Sequence, residues 1–151
     1  MDFIIRKANL EDASIIDKFL TKLIHDEKKY DSNIDEKCEI TNYYENLILK
    51  DNNIVLVAEI NNKIIGYLYG FIINNGNTCI NLTSKLDALY VEEEYRNKSV
   101  ANSLINEFKK WCELKNVKNI EVSVCSKNES AVNLYNKNGF TSIKMIMSVE
   151  I

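Results

Sequence analysis

A chain of 151 residues, 46% hydrophobic and 27% charged, is long enough to bury one substantial core and too short for two domains. The formal net charge is −3, with Lys and Arg scattered among acidic residues, which argues against a nucleic-acid partner needing a concentrated basic face. No apolar run approaches a membrane span, and Met1–Arg6 lacks the basic-then-apolar order of a secretion signal, so a cytoplasmic protein with no membrane partner is expected.

Residues 3–7 begin with an apolar run suited to a strand. Asn9 follows as a helix N-cap, with Glu11 and Asp12 placed to favour the helix dipole. Ile15, Ile16, Phe19, Leu20, Leu23 and Ile24 then recur at helical spacing over about four turns. A second, less regular helix is expected over about 35–50, with Tyr43, Tyr44, Leu47 and Ile48 inward. The β-branched run 54–60 reads as a buried strand. Asn61-Asn62 turns it into an antiparallel partner over 64–73. Asn74–Asn77 turns the chain again, into a strand near 79–91.

The clearest helix covers 99–115, with Val100, Leu104, Ile105, Phe108, Trp111 and Cys112 on one face. Ile120, Val122 and Val124 alternate with polar residues as a half-buried strand. A short helix over 129–138 is stopped by Asn138-Gly139 as a left-handed cap. From Phe140 the pattern returns to strand, ending in 145–151.

The expected fold is therefore α/β (α+β): one three-layer domain over 1–151, ordered β-α-α-β-β-β-α-β-α-β. Its mixed, mostly antiparallel sheet is flanked by helices on both faces. The strand–helix–strand unit in 84–125 predicts one parallel pair. Ligands of such sheets bind beyond the carboxyl ends of the strands, which points to 89–101 and 125–135. Cys38, Cys79, Cys112 and Cys125 have no metal-ligand spacing and read as apolar core residues, and His25 reads as a surface histidine. No metal is expected.

Two segments carry chemistry. Residues 86–101 run from a strand through a charged loop, Arg96-Asn97-Lys98-Ser99-Val100-Ala101, into a helix whose first free N–H groups suit phosphate oxygens. Residues 128–140 hold a capped helix with Tyr135 near its end, either a packing aromatic or an acid. Together they resemble the GNAT superfamily of acetyl-coenzyme A-dependent N-acetyltransferases. Arg96–Ala101 matches that family's Arg/Gln-x-x-Gly-x-Gly/Ala loop, with Ser99 in place of the first glycine. Asn128, Ala131, Leu134-Tyr135 and Gly139-Phe140 match its later pattern.

The resemblance implies direct attack of a neutral amine on the thioester of acetyl-coenzyme A. It implies that the strand over 86–91 splays from its neighbour, so that Leu89, Tyr90 and Val91 offer backbone groups to pantetheine, with the Val91 N–H also polarising the carbonyl. Tyr135 matches the proton donor to sulfur. Asp87 stands where many members carry a base, or is a strand-face carboxylate in an ion pair. Asn128 is a pantetheine ligand or a helix cap, and Lys137 reaches the ribose phosphate or is merely exposed. The acceptor site is expected between the helices of 10–50 and the last strands. There Asp26, Glu27, Asp31, Asp35, Glu36 and Glu39 attract a basic acceptor or form a solvated face. A small-molecule amine is the first expectation. A protein lysine or N-terminus is the alternative, as is a non-catalytic acyl-coenzyme A-binding module, and a homodimer stays open.

Overall fold

Apolar runs that alternate or continue in the sequence become the strands of one sheet in the computed structural model, which describes residues 1–151. The strands are β1 (Ile4–Lys7), β2 (Asn53–Ile60), β3 (Lys63–Ile72), β4 (Thr83–Val91) and β5 (Asn119–Val122), in that spatial order. The first four are antiparallel neighbours, while β4 and β5 are parallel. Asn61 and Asn62, at φ 49° and 62°, make the tight turn between β2 and β3; asparagine tolerates the left-handed region that a two-residue hairpin requires.

Three α-helices cover the sheet: α1 (Ala13–Glu27), α2 (Val100–Leu114) and α3 (Glu129–Lys137). On one face Ile16 and Phe19 of α1 pack with Tyr44, Val55, Val57, Tyr67, Tyr69 and Tyr90. On the other, Val100, Leu104, Ile105, Phe108, Trp111 and Cys112 of α2 pack with Leu56, Leu68 and Leu86. Alternate strand residues feed the two layers, the period-2 rule at work. The approach of α2 is close enough that a Cβ at Gly70 would collide with the Phe108 ring. The single-domain α/β class and its mixed sheet are as expected.

Several local expectations are corrected. No α-helix forms over 35–50; the stretch is turns with one 3-10 turn at Tyr44–Asn46. Tyr44 is buried and Tyr43 exposed. The stretch is organised by Asp17, buried in α1, which accepts from the backbone N–H groups of Tyr43 and Tyr44. That long-range polar anchor takes the place of helical hydrogen bonds. The strand expected from 79 begins at Thr83, and the one expected through Val124 stops at Val122, leaving Val124 exposed. No strand forms after Phe140, because the segment meets no neighbouring strand. Asn9 caps a 3-10 turn over Leu10–Asp12 that leads into α1. Of the cysteines only Cys112 is buried, and Cys79 is exposed.

Candidate active site

The ladder between β3 and β4 leaves one edge of β4 unused. The Glu92 N–H donates to the Ile65 carbonyl at 2.9 Å, and antiparallel alternation then turns the backbone groups of Tyr90 toward β3 and those of Leu89 and Val91 away. On that far side β5 pairs only with Thr83–Leu86. β5 ends at Val122, opposite Leu86, while β4 runs on to Val91, so the Leu89 and Val91 amides face a gap with no strand paired to them. The Val91 carbonyl is already taken, accepting from Arg96 Nε at 2.9 Å, while its N–H stays available. Tyr90 is the exception among the three expected ligands: its backbone serves β3 and its ring is buried on the α1 face.

The loop that follows presents a run of amides. From Asn97 through Asn102 no backbone N–H donates to a backbone carbonyl; the first helical bond is Ser103 N–H to Ser99 O at 3.0 Å. Asn97 and Ser99 are both left-handed, at φ 59° and 65°. A left-handed residue followed by a helical one, as at Ser99-Val100, curls successive N–H groups toward a common point, a nest suited to an anion and backed here by the dipole of α2. Ser99 thus takes the backbone conformation that glycine adopts most easily, at a cost of roughly 1 kcal/mol for a residue with a Cβ. Its hydroxyl makes no capping bond.

Arg96 points away from this nest. Besides Val91 it reaches Asp26 of α1 at 3.1 Å and lies 5.5 Å above the Tyr90 ring. Beside it Lys22 pairs with Glu92 at 2.8 Å, and the Tyr90 hydroxyl donates to Glu92 at 3.3 Å. The arginine therefore clamps the loop to β4 and α1. Lys98 folds toward the Tyr95 ring, 5.7 Å away.

α3 follows β5 in the chain and packs against the α2-side core. Asn128 caps it, its Oδ1 accepting from the Ala131 N–H at 3.2 Å. Its far end leans on α2: Asn138 Nδ2 donates to Asn102 Oδ1 at 2.8 Å, and Lys109 Nζ donates to the Asn138 carbonyl at 2.6 Å. Gly139, at φ 87°, ends the helix in the left-handed cap. Tyr135 packs edge-on against Phe140, ring centroids 5.6 Å apart. Burial, and then the Glu27 carboxylate, push its pKa up to about 12. Lys137 is exposed in the last turn.

Asp87 bears on the α1 side of the sheet, whereas Tyr135 packs with the α2-side core. Asp87 is the extra residue of a β-bulge, since Tyr69 faces Ala88 and Gly70 faces Leu86. A bulge re-aims a side chain out of the regular alternation, and the Asp87 carboxylate is partly exposed, 3.8 Å from Lys85 Nζ. Its charge bears on Tyr43, Tyr44, Tyr67 and Tyr69, adding to the burial that raises their pKa values.

Asp26 and Glu27 belong to the acidic stretch, yet Asp26 pairs with Arg96, and Glu27 is drawn in far enough that burial, followed by Asp31 and Asp26, raises its pKa. Asp26 and Arg96 are separated by 70 residues, so no local pattern links them. Asp31 and Asp35 are spent on turns, accepting from the N–H groups of Asn33 and Lys37. His25 is exposed, with Nε2 2.7 Å from the Cys38 carbonyl oxygen. Burial, then Glu27, raises the Cys125 thiol, the opposite of an activated nucleophile. No group of three or more His, Cys, Asp or Glu could hold a metal ion, and no helix is long and apolar enough to cross a membrane.

The sequence model of the Acetyltransferase (GNAT) family matches residues 20–140. No curated protein matches the chain in sequence. Among solved structures, a point mutant of the BH1408 protein from Bacillus halodurans superposes with a TM-score of 0.88 at 21% identity, covering 98% of this chain and 99% of that one. An aminoglycoside acetyltransferase, HMB0005, from an uncultured soil metagenomic sample gives 0.74 at 18% identity, covering 100% and 99%. Ribosomal-protein-alanine N-acetyltransferase from Brucella melitensis gives 0.72 at 16%, with both chains covered in full. At these identities the likeness is one of fold.

Proposed function

From the premise that this chain belongs to the acetyltransferase (GNAT) family, a family of enzymes that transfer acetyl from acetyl-coenzyme A, we propose that it acetylates a small cationic amine by direct attack on the thioester. The observation that carries this reading is the pairing of a β4 edge left bare beyond the end of β5 with six consecutive unused amides at the start of α2. Such a surface suits a ligand with an amide-bearing arm and a pyrophosphate.

Acetyl-coenzyme A supplies the activated acetyl group. The amides of 97–102 hold its phosphates, and the Leu89 and Val91 groups pair with its pantetheine arm. The Val91 N–H polarises the carbonyl on which negative charge develops. As the new C–N bond forms and the C–S bond breaks, Tyr135 gives its proton to the departing sulfur. A phenol with a pKa of about 12 is fully protonated at neutral pH, and it gives that proton up, against its own acidity, only in concert with the charge that builds on sulfur as the C–S bond breaks. The amine sheds its own proton toward Asp87 through water. Arg96 acts as a positioning residue. Asn128 and Lys137 are left in supporting places, the first as a cap and the second at the rim.

Asp87 and the aromatic rings on its side favour a cationic acceptor. Tyr43 is the exposed ring among them, packed edge-on to buried Tyr44 at 5.1 Å and within the field of Asp87, and a ring face near a carboxylate attracts ammonium groups. Thiol release from acetyl-coenzyme A, measured with polyamines, aminoglycosides and basic peptides, tests the reading. Turnover with the small amines supports it. Turnover confined to peptides moves the acceptor to protein amines. Coenzyme A binding with no turnover on any amine leaves only a binding module.

A further inference from the structure

The last eleven residues, 141–151, make no contact that hides them. None of their backbone groups takes part in a backbone hydrogen bond, and every residue is exposed. Ile143, Met145, Ile146, Met147 and Val149 are between 69% and 91% exposed, and Ile151 wholly so. Five of these apolar residues, Ile143, Met145, Met147, Val149 and Ile151, fall on alternate positions, with Lys144, Ile146, Ser148 and Glu150 between them. That is close to the period of a half-buried strand. A contiguous apolar stripe of this kind on a surface marks an interaction site.

The same chain carries a complementary edge. β5 is the last strand of the sheet, with nothing paired to its outer side. Its Ile120 and Val122 are only partly buried against the α2-side core, as is Phe140, from which the tail departs. An open edge beside half-covered apolar residues is a template for one more strand.

We propose that two copies of this chain exchange residues 141–151, each tail adding as a strand to the β5 edge of the other. A twofold arrangement satisfies both tails and both β5 edges at once and closes the exchange at two copies. At roughly 100 Å² for each buried Ile, Val or Met side chain, one alternating stripe removes ~500 Å² from water. Counting both tails and the surfaces they cover, exchange buries ~2,000 Å² in all, the upper end of the range for a standard stable interface. A foreign partner would meet the tail or the edge but leave the other bare.

Sedimentation of the full chain and hydrogen exchange together decide the matter. The expected result is twice the 17.5 kDa chain mass, with slow exchange at 141–151 and 119–122 that is lost on dilution. A doubly substituted Met145→Lys, Met147→Lys chain should sediment as a monomer. Three results overturn the proposal. A monomer with a fast-exchanging tail means that the segment pairs with nothing. A monomer with a slow-exchanging tail means that it folds back onto its own β5. A dimer whose mass survives the double substitution means that another face joins the copies. Should the variant fail to fold, loss of protection on dilution of the unaltered chain still discriminates.

Discussion

Arg96 Nε donates to the carbonyl of Val91 at 2.9 Å, so the residue that opens the amide-lined loop also fixes the strand end facing the gap. The bond occupies the Val91 oxygen and leaves the Val91 N–H pointing into the gap. Through Asp26 and Tyr90 the same guanidinium ties the loop to α1.

Arg96→Ala should therefore loosen the nest without removing any of its donors. Coenzyme A affinity is expected to fall about tenfold, equivalent to ~1.4 kcal/mol, with a melting temperature lower by a few degrees. Arg96→Lys should not restore it, because an ammonium cannot make the guanidinium's several directed bonds. Calorimetric titration checks this. Unchanged affinity in Arg96→Ala would show that the loop holds its shape unaided.

Tyr135→Phe should reduce kcat by about 10²-fold or more, while acetyl-coenzyme A affinity stays nearly constant. The pH dependence has a definite sign. A phenol raised to about 12 by burial and Glu27 keeps its proton below that value and loses it only as pH rises through it. Between about pH 7 and 10 Tyr135 should thus contribute no basic limb to the rate. A basic limb in that window that disappears in Tyr135→Phe would contradict the burial of this hydroxyl.

Asp87→Asn keeps the bulge and removes the charge. If the carboxylate receives the amine's proton through water, kcat should fall in the variant with KM for the amine nearly unchanged. If it only attracts the cation, KM for the amine should rise with kcat preserved. Unaltered kcat and KM would reduce Asp87 to the partner of Lys85.

How much of this was legible in the sequence depends on the range of the interactions. α2 and the two segments around it carry their own periodicity, caps and turns, and these read correctly: Asn128 as a cap, Gly139 as the left-handed stop, the β2–β3 hairpin at Asn61-Asn62. The Ser99 backbone is also foreseeable, since a loop built around glycine requires its successor to adopt the same φ. The failures are long-range. Residues 35–50 have apolar spacing enough for a helix, but Asp17, on another element, holds the chain in turns. The 143–151 pattern is that of a strand, yet a strand exists only where an edge receives it. Tyr90 groups with Leu89 and Val91 in sequence because the parity of the ladder, set by the Glu92–Ile65 bond, is invisible there.

Ser99→Gly should stabilise the chain by roughly 0.5–1 kcal/mol. The relief of a left-handed Cβ outweighs the extra freedom of glycine in the unfolded chain. The melting temperature should rise by about 2 °C, and coenzyme A binding should tighten severalfold as the backbone becomes free to approach the phosphates. Weaker binding in the variant would mean that the serine hydroxyl is itself a phosphate ligand.

The most direct measurement follows the acetyl group through a single turnover. Acetyl-coenzyme A labelled in the acetyl carbon is mixed with excess enzyme and the best amine of the panel, and both protein and amine are weighed by mass spectrometry at successive times. Direct transfer requires the label to pass to the amine with no acetylated protein at any time, and Tyr135→Phe should slow that passage by the factor lost in kcat. Label appearing first on the protein, on Cys125 or any other side chain, would contradict direct attack at the gap beside β4.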